Sequence, residues 1–339
     1  MNKDLIRTAL PKFPSSKRKI INILFFTAVI LILLNLALDK IFPGSVKEEK
    51  ELSGIEIDNK FRNAVFNFGL ETNWISKIRL NRNDSVYASY KIDLPPDLPV
   101  ILILREINES FKKDYVHAES EEERINGKTK LKISSGNRIK LAAEFRYNNN
   151  LKRNAGEIGF MLLDILNLNE KEDSVLLSSP ELFKIVLNPS KASAEEARKI
   201  SRYGKEYVLL LNDEIPELKY NFKESYSPLR LKASVREILT DFPDLKFFII
   251  DDNSGLYSSA VFPFIEKEFQ KRKLNFLKKS SLELIEGAAA ENIISRFKKI
   301  TDTKEKKTIL TTVQNYFLLD PEIIKYKKIG CKFVSPSLF

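Results

Sequence analysis

The sequence predicts an α/β chain: a distorted seven-stranded βα barrel, preceded by a small α+β module and an N-terminal transmembrane helix. Three observations carry this expectation. Residues 20–38 (IINILFFTAVILILLNLAL) form an uncharged apolar run. Beyond residue 155, short apolar runs alternate with amphipathic helical stretches. Between these two parts lie strands of period-two patterning around one amphipathic helix.

The apolar run is broken only by Asn22, Thr27 and Asn35. At ~1.5 Å per helical residue it nearly matches the ~30 Å of a bilayer's hydrocarbon core. Lipid offers no partner to an open backbone, so such a span must be helical. Lys3, Arg7, Lys12, Lys17, Arg18 and Lys19 precede it against a single Asp4. That excess places the N-terminus in the cytoplasm. The run is longer than a signal-peptide core, and no small-x-small pattern follows it, so an uncleaved anchor is expected. The expected location is a bacterial inner membrane, single-pass, with the later domains periplasmic or extracytoplasmic. Residues 1–19 are then a basic tail, 20–38 the anchor, 39–58 a charged tether, 59–150 the module and 155–339 the barrel.

Hydrophobic content of 43% with 30% charge describes a folded chain. About half of the formal net charge of +10 lies before the apolar run. No Lys/Arg block is interleaved with aromatics, so nucleic acid is not an expected partner. The one cysteine, Cys331, excludes an intramolecular disulfide. The one histidine, His117, excludes a metal site built on several imidazoles and a conventional Ser-His-Asp or Cys-His device. Followed by the acidic run 118–123, His117 reads as a solvated strand-end residue.

In order, helical spacing covers 59–70, with Phe61, Val65, Phe66 and Phe68 apolar. A strand at 87–93 stops at Pro95-Pro96. An amphipathic helix at 100–113 carries Leu102, Ile103, Ile107 and Phe111. Two strands, 128–134 and 138–147, are joined by Ser135-Gly136-Asn137. Polar residues 148–154 mark a boundary. Apolar runs then fall at 158–163, 182–187, 207–211, 246–250, 274–277, 308–312 and 331–334. Helices are expected between them at 194–203, 231–242, 259–271, 288–299 and 321–328. Strands buried on both faces and separated by crossover helices form a parallel sheet. Seven such units suit a closed or nearly closed barrel, whose chemistry lies at the C-terminal strand ends.

Those ends carry Asp164, Asn212-Asp213-Glu214, Asp251-Asp252-Asn253-Ser254, Lys278-Lys279 and Thr311-Thr312 with Gln314. If Asp164, Glu214, Asp251 and Asp252 share one mouth, their carboxyls separate into acid and base. Such oxygen donors suit Mg²⁺ or Ca²⁺ better than zinc. The competing reading is that Asp, Asn and Ser after a strand cap the next helix.

The order of motifs from 158 to 338 resembles the divergent polysaccharide deacetylase family. It rests on Glu195-Glu196-Ala197-Arg198-Lys199-Ile200 followed by Gly204-Lys205-Glu206-Tyr207-Val208-Leu209-Leu210. It rests too on Lys184-Ile185-Val186-Leu187-Asn188-Pro189, on Arg272-Lys273-Leu274-Asn275-Phe276-Leu277 and on the stretch 330–338. The resemblance implies a distorted βα barrel and metal-assisted deacetylation of a glycan. The family's metal positions mostly fail here. Its paired Asp falls on Leu163 and Asp164, and its strand-three His on Leu210, with Glu214 kept. Its Asn-Asn-His-x-Gly-Ser falls on 249–254, placing Asp251 at the His and keeping Ser254. Its strand-five Asp is Lys278, and 311–315 contains no His. Without such ligands nothing polarises a carbonyl or generates hydroxide. The expectation is a degenerate barrel with no metal and no cofactor, binding an envelope polysaccharide or protein. Its ligand-binding candidates are Ser254, Tyr257, Gln314 and Tyr316, with Phe317 as a further ring. The alternatives are an active envelope hydrolase or deacetylase using Asp164, Glu214, Asp251 and Asp252, with Mg²⁺ or Ca²⁺ as cofactor, and a structural subunit of an envelope complex.

Overall fold

The computed structural model describes residues 15–41, 51–79, 86–125, 127–287 and 289–337. Helix α1 spans Ser15–Ile41. Its Thr27 hydroxyl donates back to the Ile23 carbonyl at 2.8 Å, which removes the run's one hydroxyl from the demand for solvent. Among the described residues no helix is long and apolar enough to cross a membrane. The described side chains of α1 are those of 19, 20 and 22–34, so those of 21 and 35–38 in the anchor expected at 20–38 lie outside the description.

Helix α2 (Gly54–Phe66) starts at a capping box, Ser53 accepting from Glu56 N and Glu56 from Ser53 N. Strands β1 (Ile75–Lys77) and β2 (Ala88–Leu94), helix α3 (Val100–Phe111), and strands β3 (Val116–Glu122), β4 (Thr129–Ser135) and β5 (Arg138–Tyr147) complete the first part. The sheet order is β1-β2-β5-β4-β3. Only the central β2–β5 pair is parallel. One face alternates inward: Ala88, Tyr90, Ile92, Leu94, Leu131, Ile133, Leu141 and Phe145 are buried under α2 and α3. The other face is solvated. His117 lies on β3, exposed, with Nε2 3.0 Å from Glu119. Strand β3 itself escaped the sequence reading, because an acidic edge strand carries no apolar pattern to detect.

The second part runs β6 (Glu157–Leu163), α4 (Glu170–Ser178), β7 (Phe183–Leu187), α5 (Lys191–Arg202), β8 (Glu206–Leu211), α6 (Pro228–Asp241), β9 (Phe248–Ile250), α7 (Gly255–Ser258), α8 (Phe262–Gln270), β10 (Phe276–Lys278), β11 (Glu283–Ile285), α9 (Ala290–Thr301), β12 (Lys306–Thr312), α10 (Val313–Ile329) and β13 (Lys332–Val334). All its strand pairs are parallel, in the order β10-β9-β8-β7-β6-β12-β11. This is a curled half-barrel of seven strands, not a closed barrel. Edges β10 and β11 are joined only by the turn Lys279–Ser281 and Leu282.

The seventh strand of the curl is β11, not the expected run at 331–334. That run forms β13, which pairs with the first half of β6 (Phe333 beside Ile158), below the point where β7 begins (Phe183 beside Phe160). Strand β11 is three residues long and starts on Glu283, so it leaves almost no hydrophobic signature. Helix α10 also begins earlier than expected and continues through Pro321. Burial of Tyr316, Leu319, Ile323 and Tyr326 along one face outweighs the hydrogen bond that the proline removes.

Two apolar layers sandwich the curled sheet. Outside, Phe160, Ile185, Leu209 and Phe248 pack against Ile200, Ile238, Phe269 and Phe297 of the surrounding helices. Inside, Met161, Val186, Val208, Ile249, Leu277 and Leu310 fill the curl.

Polar residues collect at the N-terminal end of the curl. There Lys184, only 6% exposed, pairs with Glu206 and donates to Ser335 Oγ at 3.0 Å. Burial alone raises the Glu206 carboxyl, but Lys184 and Lys246 outweigh it and hold it below the usual carboxylate range. A carboxyl lowered by folding adds stability above its unfolded pKa of about 4.3, and that contribution is lost as pH falls through the folded value. Urea titrations between about pH 6 and pH 3 should show this loss, and Glu206→Gln should lose less over the same window. Matching profiles for the two proteins would remove Glu206 as a source of acid sensitivity.

Candidate functional site at the mouth of the curl

The C-terminal ends of parallel strands are where side chains leave the sheet without packing into it. Strands β9 and β10 run in register, with Ile250 beside Lys278. The next residues on each strand are therefore neighbours. Lys279 Nζ lies 3.1 Å from Asp251 Oδ2, both side chains partly buried. One residue on, Asp252 accepts from the Ser280 backbone N–H at 3.0 Å and from the Ser280 hydroxyl. The Ser280 hydroxyl, with its backbone N–H, lowers the Asp252 carboxyl against the opposing effect of burial. Lys278 extends over the Tyr257 ring, 5.3 Å from its centre, and the Tyr257 oxygen raises the ammonium's pKa. Together these residues form one polar lip.

Capping accounts for several other candidates. Ser254 accepts from Tyr257 N at 3.3 Å and donates to the Asp251 carbonyl at 2.5 Å, closing the start of α7. Asp213, reaching across from the end of β8, accepts from Gly255 N and Leu256 N at 2.6 and 2.5 Å. Thr312 caps α10 by accepting from Asn315 N. Asp164 is exposed, at a left-handed φ of 65°, and leads into the turn Ile165–Asn167 with no capping bond from its side chain. Glu214 is exposed; its backbone N–H donates to Asn212 Oδ1. Gln314 is exposed on the first turn of α10.

Tyr316 is not a ligand-facing ring. It is 8% exposed and wedged edge-on against Phe160 at 5.0 Å and Phe183 at 5.9 Å. Helical periodicity turns position 316 inward, onto the apolar face of α10. Phe317 is half-buried against the same core. Tyr257 is the one of the three expected rings that belongs to the mouth, although it also leans on Phe262 at 5.0 Å.

Leu210 and half-buried Leu163 belong to the apolar layer inside the curl. Among the described residues no three His, Cys, Asp or Glu side chains stand together as a metal group. An ammonium occupies the place beside Asp251 to which a cation would be drawn. This donor set does not fit the catalytic metal that the resemblance implies.

Asp213 and Lys279 were read at strand ends but given no role, and Ser280 was not read there. A signal for two of them was present: two consecutive acids after one apolar run, and Lys-Lys-Ser after the next. Consecutive βα units lie side by side, which brings such ends together.

No protein-family model matches this chain, and no curated protein matches it. Among solved structures it is similar to a CE4 family pseudoenzyme from Bacillus anthracis, at 12% identity and TM-score 0.38, over 68% of this chain and 92% of that one. A mutant of a CE4 family pseudoenzyme with restored enzymatic activity matches at the same identity and TM-score, over 68% and 96%. A peptidoglycan N-acetylglucosamine deacetylase matches at 13% identity and TM-score 0.35, over 54% and 87%. These descriptions are of the deacetylase-like kind that the sequence resembles.

Proposed function

We propose that this chain is a single-pass membrane protein whose degenerate, deacetylase-like half-barrel binds an envelope polysaccharide without transforming it. One observation carries the non-catalytic reading: the two mouth carboxylates are already engaged, Asp251 by Lys279 and Asp252 by Ser280. A general acid working near neutral pH needs a raised carboxyl, and that of Asp252 is lowered. The binding surface is the lip of Tyr257, Lys278, Asp252 and Ser280, where one ring and several polar groups face solvent. The anchor at 20–38 and its basic flank support an extracytoplasmic position for the lip.

The test is co-sedimentation of the full chain, in detergent, with insoluble cell-wall glycan, alongside an assay for released acetate. Binding is expected, and Tyr257→Ala with Lys278→Ala should weaken it about tenfold, or ~1.4 kcal/mol. No acetate should appear. Acetate release that disappears in Asp251→Asn and Asp252→Asn would replace this reading with the carboxylate enzyme. Absence of binding to any glycan would shift the assignment to a protein partner.

A further inference from the structure

The two ends of the five-stranded sheet differ. At one end, Phe68, Asp97 and Glu106 meet the half-barrel through Arg153 and Lys328. The opposite end is where the chain arrives from the tether. Here four large apolar side chains are exposed: Ile55 at 58%, Tyr115 at 53%, Tyr87 at 48% and Ile139 at 37%.

Local bonding holds them as one surface. Gly54 sits directly against the Tyr87 ring, where even a Cβ would collide. Tyr87 N donates to the Lys140 carbonyl, next to Ile139. The Ser135 hydroxyl donates to the Tyr115 carbonyl at 3.1 Å and accepts from Leu52 N at 2.9 Å. Exposed Lys113 and Arg138 flank the patch.

Chain length fixes what this end can reach. From Ile41, the end of α1, to Glu51 is ten residue steps, at most ~35 Å at ~3.5 Å each. The thirteen residues of α2 then lead away from the patch over ~20 Å, towards the half-barrel. Any surface that α1 enters therefore lies within ~35 Å of this end, the end by which the chain joins the module.

We propose that this end of the module rests in the headgroup layer of the membrane that holds α1. Its occupant is a lipid surface carrying anionic headgroups. Tyr115 and Tyr87 present an apolar ring with a polar tip, which suits the water–hydrocarbon boundary. Lys113 and Arg138 meet the anionic phosphates. Ile55 and Ile139 supply the apolar contact. The inference rests on the membrane-anchor reading and adds an orientation: the mouth is held off the bilayer by the length of the module.

The full chain is reconstituted into phosphatidylcholine–phosphatidylglycerol vesicles brominated near the headgroup, and emission is compared with that in unbrominated vesicles. Three variants are read against the unsubstituted chain, whose single Trp74 is buried: Phe26→Trp in α1, Tyr115→Trp in the patch and Leu229→Trp on α6. The emission added by Phe26→Trp and Tyr115→Trp should be mostly lost, and that of Leu229→Trp retained. Loss for Phe26→Trp alone overturns the patch and leaves the anchor standing. Retention for Phe26→Trp overturns the anchor and the patch with it. Loss for all three means that the chain lies on lipid without this orientation, which also overturns the proposal. If Tyr115→Trp fails to fold, hydrogen exchange of the unsubstituted chain decides. Amides 113–117 should slow on reconstitution, and unchanged rates overturn the patch.

Discussion

Arg153→Ala is expected to loosen the half-barrel from the module and to lower stability by about 1–2 kcal/mol, because the Asp97 carboxylate it pairs with is 42% exposed and solvent screens that part of the contact. The Arg153 side chain is 7% exposed and makes contacts to both parts. Its guanidinium donates to the Asp97 carboxylate at 3.0 and 2.8 Å, to the Phe68 carbonyl at 3.3 Å and to the Lys328 carbonyl at 2.9 Å. Close approach of the two backbones depends on the same junction. Gly69 has a φ of 68°, and a Cβ there would lie 2.5 Å from the Ile329 carbonyl oxygen. Without the guanidinium fork, two carbonyls lose their donor inside a closed contact. Trp74, the only tryptophan, lies buried in the module and reports on it alone. In the unsubstituted chain, Trp74 emission and far-ultraviolet dichroism should change together on heating; in Arg153→Ala they should separate. Arg153→Lys keeps the charge without the fork and should fall between the two. Coincident transitions at an unchanged melting temperature in Arg153→Ala would show that the two parts are coupled elsewhere.

Phe160→Ala should cost about 3–5 kcal/mol, the range for removing a phenyl ring from a packed core. Phe160 is 2% exposed on β6. Its ring stacks with Phe297 at 6.1 Å and Phe333 at 6.0 Å and meets Tyr316 edge-on at 5.0 Å. Those partners belong to α9, β13 and α10, so one truncation opens contacts among four elements. Urea titration followed by dichroism measures the loss. Phe160→Leu should cost less by partly filling the gap, and exposed Leu229→Ala should stay within about 0.5 kcal/mol of the parent. A small effect of Phe160→Ala would mean that the neighbouring rings collapse into the space.

Much of this fold was legible because buried parallel strands write themselves as short apolar runs. Residues 158–163, 207–211 and 308–312 became β6, β8 and β12 with shifts of one or two residues at their starts. The helices expected at 194–203 and 231–242 became α5 and α6, each starting three residues earlier, at the caps Ser190 and Ser227. What stayed hidden had no apolar signature. Strands β3 and β11 are short or acidic, and α4 is mostly charged on its first turn. The mouth was legible only as a set of residue types. Its pairing depends on the register between β9 and β10, which no single stretch contains. Tyr316 was misplaced for a related reason: an aromatic after a strand end was weighed as a ligand ring before the inward face of α10 was known.

The pairing of β6 with both β12 and β13 sets when the half-barrel can close relative to synthesis. Glu157 at the start of β6 is partnered by Lys306 and by Lys332, so the first barrel strand to be made waits for two of the last. The module, whose strands all lie between Ile75 and Tyr147, has no such wait. A nascent chain therefore carries a finished module ahead of an open, apolar sheet, and pairings of such long separation form slowly. The interval before β13 emerges is when this chain is most exposed to aggregation and proteolysis.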